Sequence, residues 1–297
     1  MRHRSTKRRD EGVFHVDRIG IENISVFGLP PIAFVNLAAD LGCRHISTTL
    51  FPFDYNPHGY PRYSLKEDAA LRREMVAAMR ARSVSISLGE IFAVRADAEV
   101  RSCSADLDAM AELGIMRINT LSLDPDLGRS FDKFAELTEM GAAFGMETTV
   151  EFAPGMTVPD LPTAIAAVRH VGRADFRLMI DTMHFIRSGS HPEDLAAIDP
   201  GMIGYVQICD VPLAPKTSNY FEEAKYERMV PGAGELPLLE ILAAVPRDRI
   251  IGIEVPLRSQ ADAGVGPLDR LRPCVAAARD LLTRLDARPA QPEDIEP

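Results

Sequence analysis

Eight short apolar runs recur along this 297-residue chain, each followed by a longer amphipathic stretch. They are RIGIENISV (18–26), CRHISTTL (43–50), VSISLGEIF (84–92), MRINTLSL (116–123), METTVEFA (146–153), FRLMIDT (176–182), IGYVQICDV (203–211) and RIIGIEVP (249–256). Strand-length runs alternating with helical patterns mark repeated βα units around a parallel sheet. Eight strands and eight helices in strict alternation predict an α/β fold, a single-domain (β/α)8 TIM barrel over residues 15–286. An open doubly wound sheet is the alternative, but no glycine-rich turn follows the first run. Helix punctuation agrees. PPIAFVNLAADLG (30–42) opens on prolines and closes on Gly42, and LPTAIAAVRHVG (161–172) also ends in glycine. In SLKEDAALRREMVAAMRARS (64–83), Ser64 and Glu67 have capping-box spacing, and Met75 and Met79 share a packing face.

Composition narrows the function classes. The net charge is −10, which suits small solutes better than a phosphate backbone, so no nucleic-acid partner is expected. The basic segment 1–14 reads as a flexible, solvated head without the apolar core of a secretory signal, and the proline- and acid-rich tail 287–297 as disordered. No run approaches the roughly 18 apolar residues that span a bilayer, so no membrane role is expected. Four scattered cysteines (Cys43, Cys103, Cys209, Cys274) form no CxxC pair; reduced thiols in a cytoplasmic protein are the simplest reading.

Side chains alternate across a strand, so parity separates two faces. In the last four runs, Val150 and Phe152, Leu178 and Ile180, Val206 and Ile208, and Ile251, Ile253 and Val255 form an apolar face that belongs against the helices. The opposite parity points into the barrel. It holds Thr149, Glu151 and Ala153; Met179, Asp181 and Met183; Tyr205, Gln207 and Cys209; and Gly252, Glu254 and Pro256. Four successive strands therefore each direct one polar residue inward near the end of the run: Glu151, Asp181, Gln207 and Glu254. That end is where barrel active sites form. Three converging carboxylates repel unless a cation neutralises them, and all-oxygen donors favour one hard or borderline divalent ion: Mn2+ or Mg2+ first, Zn2+ or Co2+ next. The 47 residues from Gln207 to Glu254 imply a long loop over 212–234, carrying Lys216, Tyr220, Tyr226 and Arg228, which has the length of a lid and equally that of an oligomer contact.

VEFAP with Glu151, IDTMHF with Asp181 and His184, VQICD with Gln207 and Asp210, PGAGELP (231–237) and GIEVP with Glu254 stand in the order found in the xylose isomerase-like TIM-barrel superfamily, which the second half of the chain resembles. That superfamily includes sugar epimerases, inosose isomerases, 3-dehydroshikimate dehydratases and AP endonucleases. The resemblance implies that Glu151, Asp181 and Glu254 bind one metal and that His184 hydrogen-bonds substrate. Many members carry histidine at the fourth ligand position. Gln207 stands there instead, a departure also met in dehydratase-like branches. A single histidine in a matching motif argues against the endonuclease chemistry. Members are often homodimers or homotetramers.

The chemistry expected of such a site is isomerisation or epimerisation of a small polyhydroxy ketone or sugar. Glu151 and Glu254 act as acid/base groups as well as ligands, His184 assists, and the path runs through a metal-stabilised enediolate. Expulsion of a β-hydroxyl would instead make the enzyme a dehydratase of a 3-dehydroshikimate- or inosose-like substrate. A barrel that keeps its ligands but serves as a binding or structural subunit is the non-enzymatic alternative. Arg187 and Arg258 are candidate substrate contacts, each with the alternative of an ordinary ion pair. Asp210 either orients a ligand from behind or caps its loop. In the first half His45, Glu90 and Asn119 have positions compatible with the pocket, with Glu90–Arg117 pairing as the alternative for Glu90.

Overall fold

Each of the eight apolar runs contains a strand, shorter than the run that announced it. They are β1 (Ile19–Ile21), β2 (His45–Thr48), β3 (Ser85–Val94), β4 (Arg117–Ser122), β5 (Glu147–Val150), β6 (Phe176–Asp181), β7 (Ile203–Ile208) and β8 (Ile251–Ile253). In the computed structural model, which describes residues 18–287, they pair in sequence order as a closed barrel, and β1 is parallel to β8. The expected basic head (1–14) and all of the expected tail beyond Ala287 lie outside the described residues.

Single helices follow the first five strands: α1 (Pro31–Asp40), α2 (Ala69–Arg82), α3 (Ser104–Glu112), α4 (Leu127–Ala142) and α5 (Leu161–Val171). The strict alternation ends there. Two helices follow each of the last three strands: α6 (Thr182–Arg187) and α7 (Pro192–Ala196), α8 (Tyr220–Tyr226) and α9 (Leu238–Ala243), α10 (Arg258–Asp262) and α11 (Pro267–Asp286). The expected cap of α2 is also displaced. Ser64 Oγ does accept from Glu67 N at 3.0 Å, but this closes a turn ahead of the helix. The helix itself starts from Asp68, whose carboxylate takes Leu71 N at 2.9 Å and is a stronger acceptor for the dipole.

The parity reading of the faces holds along the strands. Val150, Leu178, Ile180, Val206, Ile208, Ile251 and Ile253 belong to the large core beneath the helices, with Met75 and Met79. A separate small cluster of Leu88, Met179 and Tyr205 fills the barrel interior. Met183, assigned inward from parity, joins the large core instead, because it lies past the end of its strand where alternation stops, whereas Cys209 Sγ meets the Arg228 guanidinium at 3.3 Å on the site side. A register shift where β2 meets β3 pairs Ser47 with Leu88 and skips Ser87. This irregularity brings Ser87 and Leu88 both to the interior and turns Glu90 inward, with Gly89 against Met110 of α3.

Candidate active site

Asp181 is the last residue of β6, and Gln207 is its partner across the ladder, one residue short of the end of β7. Glu151 and Glu254 follow β5 and β8 directly. Their amides still bond to the neighbouring strands, Glu151 N to Thr120 O (2.8 Å) and Glu254 N to Ile208 O (3.0 Å). The four residues thus sit at the strand ends rather than inside them, because the ladders stop before the apolar runs do.

The cation among these acids is Arg228. Its buried guanidinium donates from Nη1 to Asp181 Oδ2, while Nη2 faces Glu254 Oε2 at 2.8 Å. Nε donates to Ala224 O at 2.7 Å. Two antiparallel bridges, Asp210 to Met229 and Glu227 to Leu257, hold the segment that carries it. The sequence placed Arg228 only in a long loop; α8 and these bridges, which no short-range pattern announces, deliver it to the acids. Burial opposes the charge on Asp181, yet Arg228 and His184 hold it well below the usual carboxylate range. Burial pushes Glu254 well above that range, with Arg228 opposing and Asp181 adding to the rise. One guanidinium thus stands between two buried carboxyl groups whose proton affinities are pushed in opposite directions.

Asp181 has a further role that explains the spacing of D-x-x-H. Its Oδ1 accepts from His184 N at 2.8 Å, capping α6 with the histidine at the third helical position. The His184 ring is then fixed by a hydrogen bond between Nδ1 and Tyr220 of α8, and Nε2 stands 3.4 Å from Glu151 Oε1. Glu151 Oε2 accepts from Asn119 Nδ2 at 3.0 Å, and Thr149 Oγ1 donates to Asn119 Oδ1 at 3.2 Å.

Glu90, Glu151, His184, Arg228 and Glu254 line a cavity of about 470 Å3, with Asp54, Arg95 and Lys225 as further charged groups and Phe27, Phe53, Leu121, Met156, Phe221 and Tyr226 among its apolar and aromatic walls. Asp181 and Gln207 do not line it. Gln207 is fully buried, and neither amide atom has a hydrogen-bond partner within the protein.

A second set of polar groups fills the barrel below. Glu22 follows β1 and is fully buried; Tyr205 donates to its Oε1 at 2.8 Å and shares a 3.0 Å hydrogen bond with Ser87. Ser47 donates to Glu90. Glu22 lies directly over Gly252, where a Cβ would stand 1.5 Å from its Oε1. Parity could have found Glu22, since it alternates with Ile19 and Ile21 as Glu254 does with Ile251 and Ile253. Burial pushes both Glu22 and Glu90 above the usual carboxylate range, and for Glu90 the neighbouring Glu22 charge adds to the rise. A folded-state pKa above the unfolded one leaves stability intact below about pH 4.3 and erodes it as pH rises toward the folded value. Glu90→Gln is therefore expected to flatten the loss of stability as pH rises above about 5, by up to about 1.4 kcal/mol per pH unit for one proton. Melting curves against pH check this; parallel wild-type and variant profiles would contradict it.

Other candidates lie elsewhere. Asp210 caps its loop rather than backing a ligand: Oδ1 accepts from Val211 N (2.9 Å) and Leu236 N (3.0 Å), Oδ2 from Gly232 N (2.9 Å). A Cβ at Gly234 would stand 2.3 Å from Oδ1, which links VQICD to PGAGELP. Arg187 donates to Pro212 O at 2.6 Å and pairs with Glu223, and Arg258 pairs with Glu222 and lies over the Tyr226 ring; neither is on the cavity wall. His45, at the opposite end of the barrel, meets Ser85. Arg117 pairs with Glu147 rather than Glu90.

Among the described residues, no three His, Cys, Asp or Glu side chains are grouped closely enough to hold a metal ion. The donors nonetheless fit a hard divalent cation in kind. They are all oxygen, they stand on four successive strands, and they include a buried amide left without a partner, the type of orphan that a bound ion satisfies.

A family model described as xylose isomerase-like TIM barrel matches residues 35–274. No curated protein matches the chain. Among solved structures, the IolI protein with a bound zinc atom superposes with a TM-score of 0.74 at 16% identity, covering 91% of this chain and 99% of that one. D-psicose 3-epimerase in the presence of D-fructose gives 0.65 at 17%, covering 90% and 97%. The probable 3-DHS dehydratase AsbF from Bacillus anthracis gives 0.67 at 15%, covering 88% and 98%. At these identities the likeness is one of fold.

Proposed function

Because the chain belongs to the xylose isomerase-like TIM-barrel family, we propose that it is a divalent-metal-dependent isomerase or epimerase of a small polyhydroxy ketone or sugar. One observation carries this reading: Glu151 and Glu254, at the ends of β5 and β8, line the same cavity with His184 beside them. Glu151, Asp181, Gln207 and Glu254 would hold the ion, with Mn2+ or Mg2+ best matched to their oxygen donors. When bound, such an ion polarises a carbonyl and acidifies the adjacent C–H. Glu151, positioned by Asn119, takes that proton, and Glu254 faces the substrate from the other strand to return one. Return to the opposite face gives the epimer; return to the neighbouring carbon gives the aldose–ketose isomer. His184, fixed by Asp181 and Tyr220, donates to a substrate hydroxyl, and aromatic side chains line the cavity around it.

A dehydratase is the second reading, favoured by Glu90. This third carboxyl lines the same cavity, and burial raises its proton affinity, which suits a group that protonates a departing hydroxyl.

The test is to load the protein with Mn2+ and incubate it in D2O with a panel of ketohexoses, an inosose and 3-dehydroshikimate. Deuterium incorporation next to the carbonyl, read by NMR, is the expected result. A rising absorbance from a conjugated enone or aromatic product would move the assignment to the dehydratase. No exchange and no new product with any of them would remove the enzymatic reading.

A further inference from the structure

The guanidinium of Arg228 stands between Asp181 and Glu254, two of the four proposed metal donors, and itself forms part of the cavity wall. It meets the electrostatic need that the sequence assigned to a metal ion: a cation among buried acids. We infer that Arg228 is a built-in stand-in cation, which holds the acids together in the metal-free protein and must leave them before a divalent ion binds. This inference rests on the metal-dependent reading above.

Three observations point the same way. Asp181 divides its oxygens, Oδ1 to the cap of α6 and Oδ2 to Arg228, so its only oxygen free of the fold is the one the guanidinium holds. Glu254 Oε2 meets Nη2 at 2.8 Å but accepts no hydrogen bond there, so nothing directional locks the guanidinium to this second acid. Gln207, beside Asp181 on the next strand, has both amide atoms unpartnered, as expected of a donor whose cation is not the guanidinium. Breaking a buried ion pair is costly, so metal binding and release of Arg228 are one linked event. The cost of releasing the arginine subtracts from the affinity for the ion.

The experiment is calorimetric titration of the chelator-treated full chain with Mn2+, comparing wild type with Arg228→Met and Arg228→Lys. Arg228→Met is expected to bind Mn2+ at least about tenfold tighter than wild type, with Arg228→Lys between them. Its metal-free melting temperature is expected to fall and to recover at saturating Mn2+. Equal or weaker binding by Arg228→Met, with wild type still binding, overturns the stand-in role and leaves the metal-dependent reading in place. Uptake by neither protein overturns both. Should Arg228→Met fail to fold, 15N NMR of the wild-type guanidinium groups during Mg2+ titration decides the matter. The slowly exchanging signals of a buried, paired arginine are expected to vanish as Mg2+ binds; their persistence alongside stoichiometric binding overturns the inference.

Discussion

Replacing Glu151 by glutamine is expected to lower kcat/KM by about 10³-fold while moving Tm by no more than a degree or two. Glutamine keeps the length of the side chain and an oxygen able to accept from Asn119 Nδ2, which Thr149 holds in its orientation. What disappears is the capacity to take a proton from carbon, and a neutral amide is also a weaker ligand. The two losses separate in one set of measurements, since metal uptake reports the ligand and deuterium exchange reports the base. An enzyme that keeps its metal but no longer exchanges deuterium has lost the base. Activity within tenfold of wild type would strip Glu151 of the role, whatever the metal does.

The largest effect on stability is expected at Gly252. A Cβ there would lie 1.5 Å from Glu22 Oε1 and 2.5 Å from Cδ, in a fully buried layer. Glu22 is fully buried and cannot swing aside without giving up its hydrogen bond from Tyr205. Gly252→Ala is expected to cost about 3 kcal/mol or more, a fall in Tm of roughly 6–12 °C for a chain of this size. The double variant Gly252→Ala/Glu22→Ala removes the overlap and is expected to recover part of the loss. A single variant as stable as wild type would mean that the two groups are not packed as described.

The barrel was legible in the sequence because a closed parallel barrel needs eight repeats of one pattern, and all eight are present. The inward acids of β5–β8 were legible for a related reason: alternation against Ile, Leu and Val leaves them no other face. Glu22 follows the same rule on β1 and was there to be read. Glu90 was legible only as one candidate compatible with the pocket, with pairing to Arg117 as its alternative, since an irregular register with β2 resets the parity of β3 partway along. Arg228 was hidden by a different cause. Its arrival depends on α8 and on bridges from Asp210 and Leu257, contacts between residues far apart in the chain. The roles of Asp210 and Arg187 turned on the same kind of information: which backbone groups a folded loop brings within reach of a charged side chain.

Glu22 also bears on the order in which the molecule assembles. Its hydroxyl partner on Tyr205 lies 183 residues away, and the glycine that makes room for it comes later still, on the last strand. A nascent chain emerging from the ribosome thus carries a carboxyl group destined for a dry interior long before the strands that enclose it exist. The first half of the barrel has no means of completing its own inner layer, and Glu22 stays hydrated until β7 and β8 dock. Ring closure and withdrawal of that acid from water become a single late step, which joins the two ends of the fold into one cooperative unit.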